Sequence, residues 1–240
     1  MWHWVDSGLE RIGALLLPPR CVLCGARGQP PCLDLCAGCE SSLQPADEPA
    51  CIPDQGSLRR SFAPFAYASP LDHLVHVLKY RGQLATARVL GTLLAGHVVR
   101  HGLHQGIDVI VPVPLHPMRH AERGFNQSAE IARHLGRCLR LPVDESLATR
   151  QRATPPQVGL HLLQRRRNLR LAFAAGPVTG RRVALVDDVT TTGTTLQELA
   201  SLMVQAGATA VDGWCVARAD RHGIRSGAPL EPSPPAGRMR

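Results

Sequence analysis

Two adjacent carboxylates, Asp187-Asp188, followed by Val189-Thr190-Thr191-Thr192-Gly193-Thr194-Thr195, form the stretch of the chain best equipped for chemistry. The pair follows Arg182-Val183-Ala184-Leu185-Val186, a continuous apolar run that predicts a strand buried on both faces of a parallel sheet. A helix predicted from about 194 to 205 comes next, so backbone N–H groups from about Thr191 to Thr195 lie at its positive end. Such a turn can hold a monoester phosphate. The threonine hydroxyls add donors, and Gly193 permits backbone conformations that a β-branched residue resists. The two acids, just ahead of the cradle, suit the hydroxyls of a sugar. No lysine sits in the loop, and the Gly-x4-Gly-Lys spacing of a nucleotide-hydrolysing P-loop is absent. The plainer alternative is a capped helix after a core strand, with two solvated acids.

A second apolar run, Val109-Ile110-Val111-Pro112-Val113, leads into Pro114-Leu115-His116, where two prolines stop the ladder and stiffen the turn. Arg119, Arg123, Gly124, Phe125, Asn126 and Gln127 follow, ahead of a predicted helix over 127–140. Guanidinium groups there can bind phosphate oxygens in bidentate fashion, or simply face water on a loop. From Ser146 to Val186 there is no acidic residue, while Arg150, Arg152, Arg165, Arg166, Arg167, Arg170, Arg181 and Arg182 carry positive charge. That tract fits single-stranded nucleic acid, although Phe173 is the one aromatic within it; a solvent-facing helix is the alternative. Lys79 is the only lysine in the chain, at a predicted helix end that a surface residue would equally occupy.

Cys21-x2-Cys24 and Cys36-x2-Cys39 have the spacing of a tetrahedral four-thiolate zinc knuckle. Cys32 and Cys51 are available to replace one of the four ligands. Clustering of this kind, with no export signal in view, favours a metal over disulfides, and a metal would organise a segment that has little core. Cys138 and Cys215, each alone among apolar neighbours, are expected in the core.

The elements around these residues divide the chain into four parts. Residues 1–19 predict an amphipathic helix ended by Pro18-Pro19, residues 20–55 the zinc knuckle, 56–220 an α/β domain, and 221–240 a disordered tail rich in Pro and Gly. Helices are expected at 70–80, 84–100 and 127–140, and a last strand near 210–216. A length of 240 residues suits one α/β domain with a small appendage. The net charge of +8 is uneven: −4 over 1–55, +9 over 56–220 and +3 over 221–240, so the body favours anionic ligands. No stretch reads as a membrane span, and a cytoplasmic protein with no membrane partner is expected.

The loop Val186 to Thr195 resembles the 5-phosphoribosyl-1-pyrophosphate (PRPP) motif of type I phosphoribosyltransferases. With Leu78-Lys79-Tyr80-Arg81-Gly82, Val111 to His116, Arg123-Gly124-Phe125-Asn126-Gln127, Gln157-Val158-Gly159-Leu160, Arg165-Arg166-Arg167-Asn168 and Ala172-Phe173, it resembles the ComF (GntX-like) family in order over about 15–218. The resemblance implies a type I phosphoribosyltransferase fold, a central, mostly parallel sheet flanked by helices, with a small N-terminal Cys-rich zinc-binding segment. It implies that Asp187 and Asp188 hold the ribose hydroxyls and that Thr191, Thr192, Gly193, Thr194 and Thr195 hold the 5′-phosphate. Val113, Pro114 and Leu115 would grip the pyrophosphate, Arg119 and Arg123 would serve a basic hood, and Lys79 could reach the pyrophosphate. Mg2+ would accompany PRPP and Zn2+ would be structural. The implied activity is phosphoribosyl transfer to an unidentified acceptor, linked to DNA uptake. Single-stranded DNA and a helicase-like competence protein are the further partners, and non-catalytic PRPP sensing or DNA handling is the alternative. Two departures stand out. Type I enzymes often carry an acid where Thr191 stands, which leaves the general base unassigned, and the further Cys-x2-Cys pair typical of relatives is missing because Cys51 precedes Ile52-Pro53-Asp54.

Overall fold

A computed structural model describes residues 18–29, 33–47, 49, 56–150 and 173–219. The expected helix at the N-terminus, the tail, Cys32, Cys51 and the arginines from 152 to 170 lie outside the described residues. Element order is α1 (Ala37–Ser41), β1 (Arg60–Phe62), β2 (Phe65–Ala66), α2 (Leu71–Arg81), α3 (Leu84–Arg100), β3 (Val109–Pro112), α4 (Pro117–Arg123), α5 (Gln127–Leu139), β4 (Ala148–Arg150), β5 (Phe173–Ala175), β6 (Arg182–Thr190), α6 (Thr194–Gln205) and β7 (Ala210–Arg218).

The sheet runs β1-β7-β6-β3, with β2 pairing further along β7, and every one of these pairings is parallel. Alternation along β6 explains its unbroken apolar run. Val183 and Leu185 join Val111, Val211, Leu196, Leu199 and Met203 on one face, while Ala184 and Val186 join Trp214, Leu90, Leu94, Ile131 and Leu135 on the other. Helices therefore cover both faces: α2, α3 and α5 on one, α6 with the antiparallel β4–β5 ribbon on the other. Each fully buried Leu or Val contributes about 1.5–3 kcal/mol relative to exposure. At the centre of the sheet the fully buried Asp212 is held by Arg59 (Nε to Oδ1, 2.8 Å) and Arg60 (Nη2 to Oδ2, 2.7 Å), a compensation without which a buried carboxylate would be costly.

This is the α/β class expected, a mostly parallel sheet flanked by helices with a Cys-rich segment ahead of it. Three details differ. The strand expected over 182–186 continues to Thr190, because β-branched Val189 and Thr190 extend the ladder against Ala217 and Arg218 of β7. A short helix, α4, replaces the loop expected around Arg119 and Arg123. Cys215 is fully buried as expected, but Cys138 is only partly so, packing at the margin of the core. Among the described residues no helix is long and apolar enough to cross a membrane.

Candidate functional site: an acid pair, a threonine loop and a cluster of four cysteines

The acid pair sits inside the last part of β6, so Asp187 and Asp188 leave opposite faces of one strand. Asp187 Oδ1 accepts from Ser128 Oγ at 2.8 Å and from the Asp188 amide at 2.9 Å. Asp188, 4% exposed, accepts from the Val189 amide at 2.7 Å and places Oδ2 2.6 Å from Lys79 Nζ at the end of α2. Lys79 is thus no free surface lysine. Burial works against its charge, but the Asp188 carboxylate outweighs that and holds its pKa above the usual lysine value. Burial and then the Asp188 charge push the Asp187 carboxyl up to about 7, against the opposing pull of the Ser128 hydrogen bond and Lys79.

Gly193, with φ +70, is the N-cap of α6, and no side chain caps the helix start. A Cβ there would meet nothing within 4 Å, so the left-handed backbone is what calls for glycine. Amides of the first turn have no partner within the helix and face the loop. Thr192 Oγ1 lies 2.7 Å from Thr194 Oγ1; Thr191 and Thr192 are exposed, Thr194 and Thr195 half-buried. The structure brings these four threonines, Gly193 and the acid pair to the same carboxyl edge of the sheet, where ligands bind in open α/β folds.

Neighbouring β3 ends beside them. The Val113 amide donates to Val186 O at 2.8 Å, continuing the β3–β6 pairing one residue, and Pro114 and Leu115 then turn away half-buried. Asn126 Nδ2 donates to Val113 O at 3.0 Å, while its Oδ1 caps α5 by accepting from the Ser128 amide at 3.1 Å. Arg119 and Arg123 are helical. Arg119 is exposed on α4, whereas Arg123 donates to Gln127 Oε1 at 3.2 Å and lies 5.2 Å from the Tyr80 ring centroid. Seven residues are too few to show a helical period. The signals that were present were Pro117 at the first helical position and Gly124, φ +77, at the C-cap.

From sequence, Ser128 and Asn126 had no site role, and Arg150 stood only in the arginine tract suited to single-stranded nucleic acid, not beside the acid pair. Asn126 was visible as a helix-capping residue type, but nothing in the sequence pairs Ser128 with Asp187 across 59 positions. Arg150, at the end of β4, lies over the Phe173 ring at 5.2 Å. Its pKa is lowered by burial and by the charge of Arg119, with Asp187 opposing, so both arginines share the electrostatic neighbourhood of the acid pair.

The cysteine segment gathers Cys21, Cys24, Cys36 and Cys39 with all Sγ atoms within 4.8 Å of one another. Tetrahedral Zn–S bonds of about 2.3 Å require sulfurs about 3.8 Å apart. Cys24 and Cys36 Sγ stand 3.7 Å apart, far beyond a disulfide and well matched to a shared metal. Each Cys-x2-Cys turn is fixed by a local hydrogen bond: Gly25 N donates to Cys21 O at 2.8 Å, and Cys36 Sγ caps α1 by accepting from Cys39 N at 3.4 Å. Four soft thiolates suit a structural zinc ion. The segment is keyed to the body by the Asp34–Arg88 ion pair and by strand-like pairing of 44–46 with 64–66 (Ala66 N to Gln44 O, 3.0 Å).

A family model described as a double zinc ribbon domain matches residues 12–53. "DNA utilization protein YhgH" of Escherichia coli K12 is 43% identical over 156 residues, 63% of this chain and 69% of that protein. "Competence protein F" of Haemophilus influenzae is 33% identical over 193 residues, covering 77% of this chain and 84% of that one. Among solved structures, the allosteric regulatory enzyme of purine biosynthesis aligns at 22% identity over 54% of this chain and 25% of its own, with a TM-score of 0.39. A purine phosphoribosyltransferase from Pyrococcus horikoshii aligns at 18% identity over 52% and 70%, with a TM-score of 0.34. With two such relatives matched over more than two thirds of their lengths, the chain belongs to the ComF (GntX-like) family.

Proposed function

We propose that the chain binds PRPP together with Mg2+ at the carboxyl edge of its sheet and transfers the phosphoribosyl group to a nucleophile, in a process of DNA uptake or use. The observation that carries this reading is the convergence of Asp187, Asp188 and the Gly193-capped start of α6 beside the loop 113–115. The acids accept from ribose hydroxyls, the loop 191–195 donates to the 5′-phosphate, and the turn Val113-Pro114-Leu115 receives the pyrophosphate through the Leu115 amide, since the Val113 amide is held by Val186 O and Pro114 has none. Arg119 and Arg150 add positive charge on the same side. Hard carboxylate oxygens are the ligand type Mg2+ takes, and when bound the ion would neutralise pyrophosphate charge. In the transfer, a bond forms from the nucleophile to the anomeric carbon, the carbon–oxygen bond to pyrophosphate breaks, and pyrophosphate departs with the electron pair. The acceptor proton goes to solvent, since Thr191 offers no carboxylate. The names of the two relatives, one of DNA utilization and one of competence, support the DNA-linked setting.

A second reading, a PRPP sensor that does not turn over, is favoured by that same hydroxyl at Thr191. A competition experiment tests the binding site common to both. Ribose 5-phosphate displaces PRPP because it keeps the sugar and phosphate that β6 and α6 would recognise, while free pyrophosphate competes poorly. The reverse order would refute the assignment. Pyrophosphate release screened against amines, bases and single-stranded DNA then separates enzyme from sensor.

A further inference from the structure

The head of α5 ties together two loops that are far apart in sequence. Its buried face is Gln127, Ser128, Ala129, Ile131, Ala132, Leu135 and Gly136, small or apolar except for the first two residues. Ser128 is 1% exposed, so its hydroxyl needs an acceptor inside the protein, and that acceptor is Asp187 Oδ1. Helix capping does not explain the serine, because Asn126 already supplies the cap to the Ser128 amide. The other end of Asn126 holds the carbonyl of Val113.

We propose that Ser128 and Asn126 are positioning residues, a brace that locks the Asp187 carboxylate and the loop after β3 into one frame so that the sugar-binding and pyrophosphate-binding halves of the site keep a fixed separation. The proposal rests on the PRPP reading above and assigns residues to its geometry. The depth of the brace is set by close packing of α5 on α3, where Gly91 faces Ile131 O and His134 with no room for a Cβ. The charged or titratable groups facing Asp187 are Asp188 on its own strand, Lys79 on α2, Arg150 on β4 and Cys215 on β7. Beside them Ser128 is an uncharged side-chain donor, so it favours the ionised carboxylate without adding charge to a site that must admit several anionic groups.

The test uses the full chain with its zinc. In the ligand-free protein, carbon-detected NMR follows the Asp187 carboxyl through pH in wild type and in Ser128→Ala. The expected result is a titration midpoint displaced upward in the variant. An unchanged midpoint would overturn the brace, whatever the protein does with PRPP. Calorimetry with Mg2+ and PRPP gives the second readout: Ser128→Ala loses roughly tenfold in affinity at pH 7, the size expected for one hydrogen bond to a charged group. That deficit shrinks as the pH passes the variant's own, higher midpoint and Asp187 becomes ionised in both proteins; a deficit constant with pH would reduce Ser128 to packing. Asn126→Asp keeps the cap acceptor and removes the donor to Val113, and is expected to lose several-fold in PRPP affinity with zinc content unchanged. Unaltered affinity would remove Asn126 from the brace. Should wild type bind no PRPP, the functional reading fails, and the ligand-free titration still decides the role of Ser128.

Discussion

At the residue scale, the central tension is between Asp187 and the ligand it would serve. Its carboxyl is raised by burial and by Asp188 to about 7 from an ordinary 3.8, so the folded protein holds this proton more tightly than the unfolded chain does. Its contribution to stability is therefore full below about pH 4 and is lost as the pH climbs through 7. Ribose hydroxyls would donate to the ionised form, so PRPP affinity is expected to rise between pH 6 and 8, beyond what the phosphates of PRPP account for. Calorimetry on Asp187→Asn isolates the effect: the variant binds more weakly and loses this part of the pH dependence, and an identical profile would show that Asp187 does not meet the ligand. The acid pair and the threonine loop were legible because strand, acids and helix start are contiguous in sequence. Lys79 and Ser128 were not, because each reaches the pair across the fold rather than along the chain.

At the element scale, α2, α3, α5 and α6 follow the sequence expectation to within a residue, since each has an apolar stripe long enough to set its period. Strand ends were less legible: the ladder past Val186 depends on β7, which lies a whole helix downstream. Packing of α3 on α5 was invisible in the sequence because it depends on Gly91. A Cβ there would stand 2.8 Å from both Ile131 O and His134 Cβ. Alanine gains about 1 kcal/mol of helix propensity over glycine, but forcing atoms against backbone costs typically about 1–3 kcal/mol. Gly91→Ala is therefore expected to lower the urea midpoint and to weaken PRPP binding by tilting the head of α5. A higher midpoint with full binding would show that the two helices are not in the close contact described.

On the scale of the whole molecule, a metal-organised segment and an α/β body share one core. Leu33, Leu35 and Leu43 of the cysteine segment pack with Phe65, Leu71 and Leu90 of the body. The paired Cys-x2-Cys spacing was readable in sequence, but this shared core was not, because Asp34–Arg88 and the pairing beside Pro45 and Phe65 are long-range. Metal loss is accordingly expected to loosen the β2 edge as well as the knuckle. Purified protein is expected to contain about one zinc per chain, and Cys36→Ser to lose it and melt at lower temperature. Full zinc retention in that variant would move the fourth ligand to Cys32 or Cys51.

The central claim, that the acid pair at the end of β6 holds the sugar of PRPP, is tested most directly by calorimetry with Mg2+ and PRPP on wild type and on Asp187→Ala/Asp188→Ala. Each lost hydrogen bond to a charged acceptor contributes about 1.5–3 kcal/mol, or about tenfold to a hundredfold in affinity. The double variant, with zinc still bound, is expected to show no measurable PRPP affinity at concentrations that saturate wild type. Equal affinity in the two proteins would contradict it.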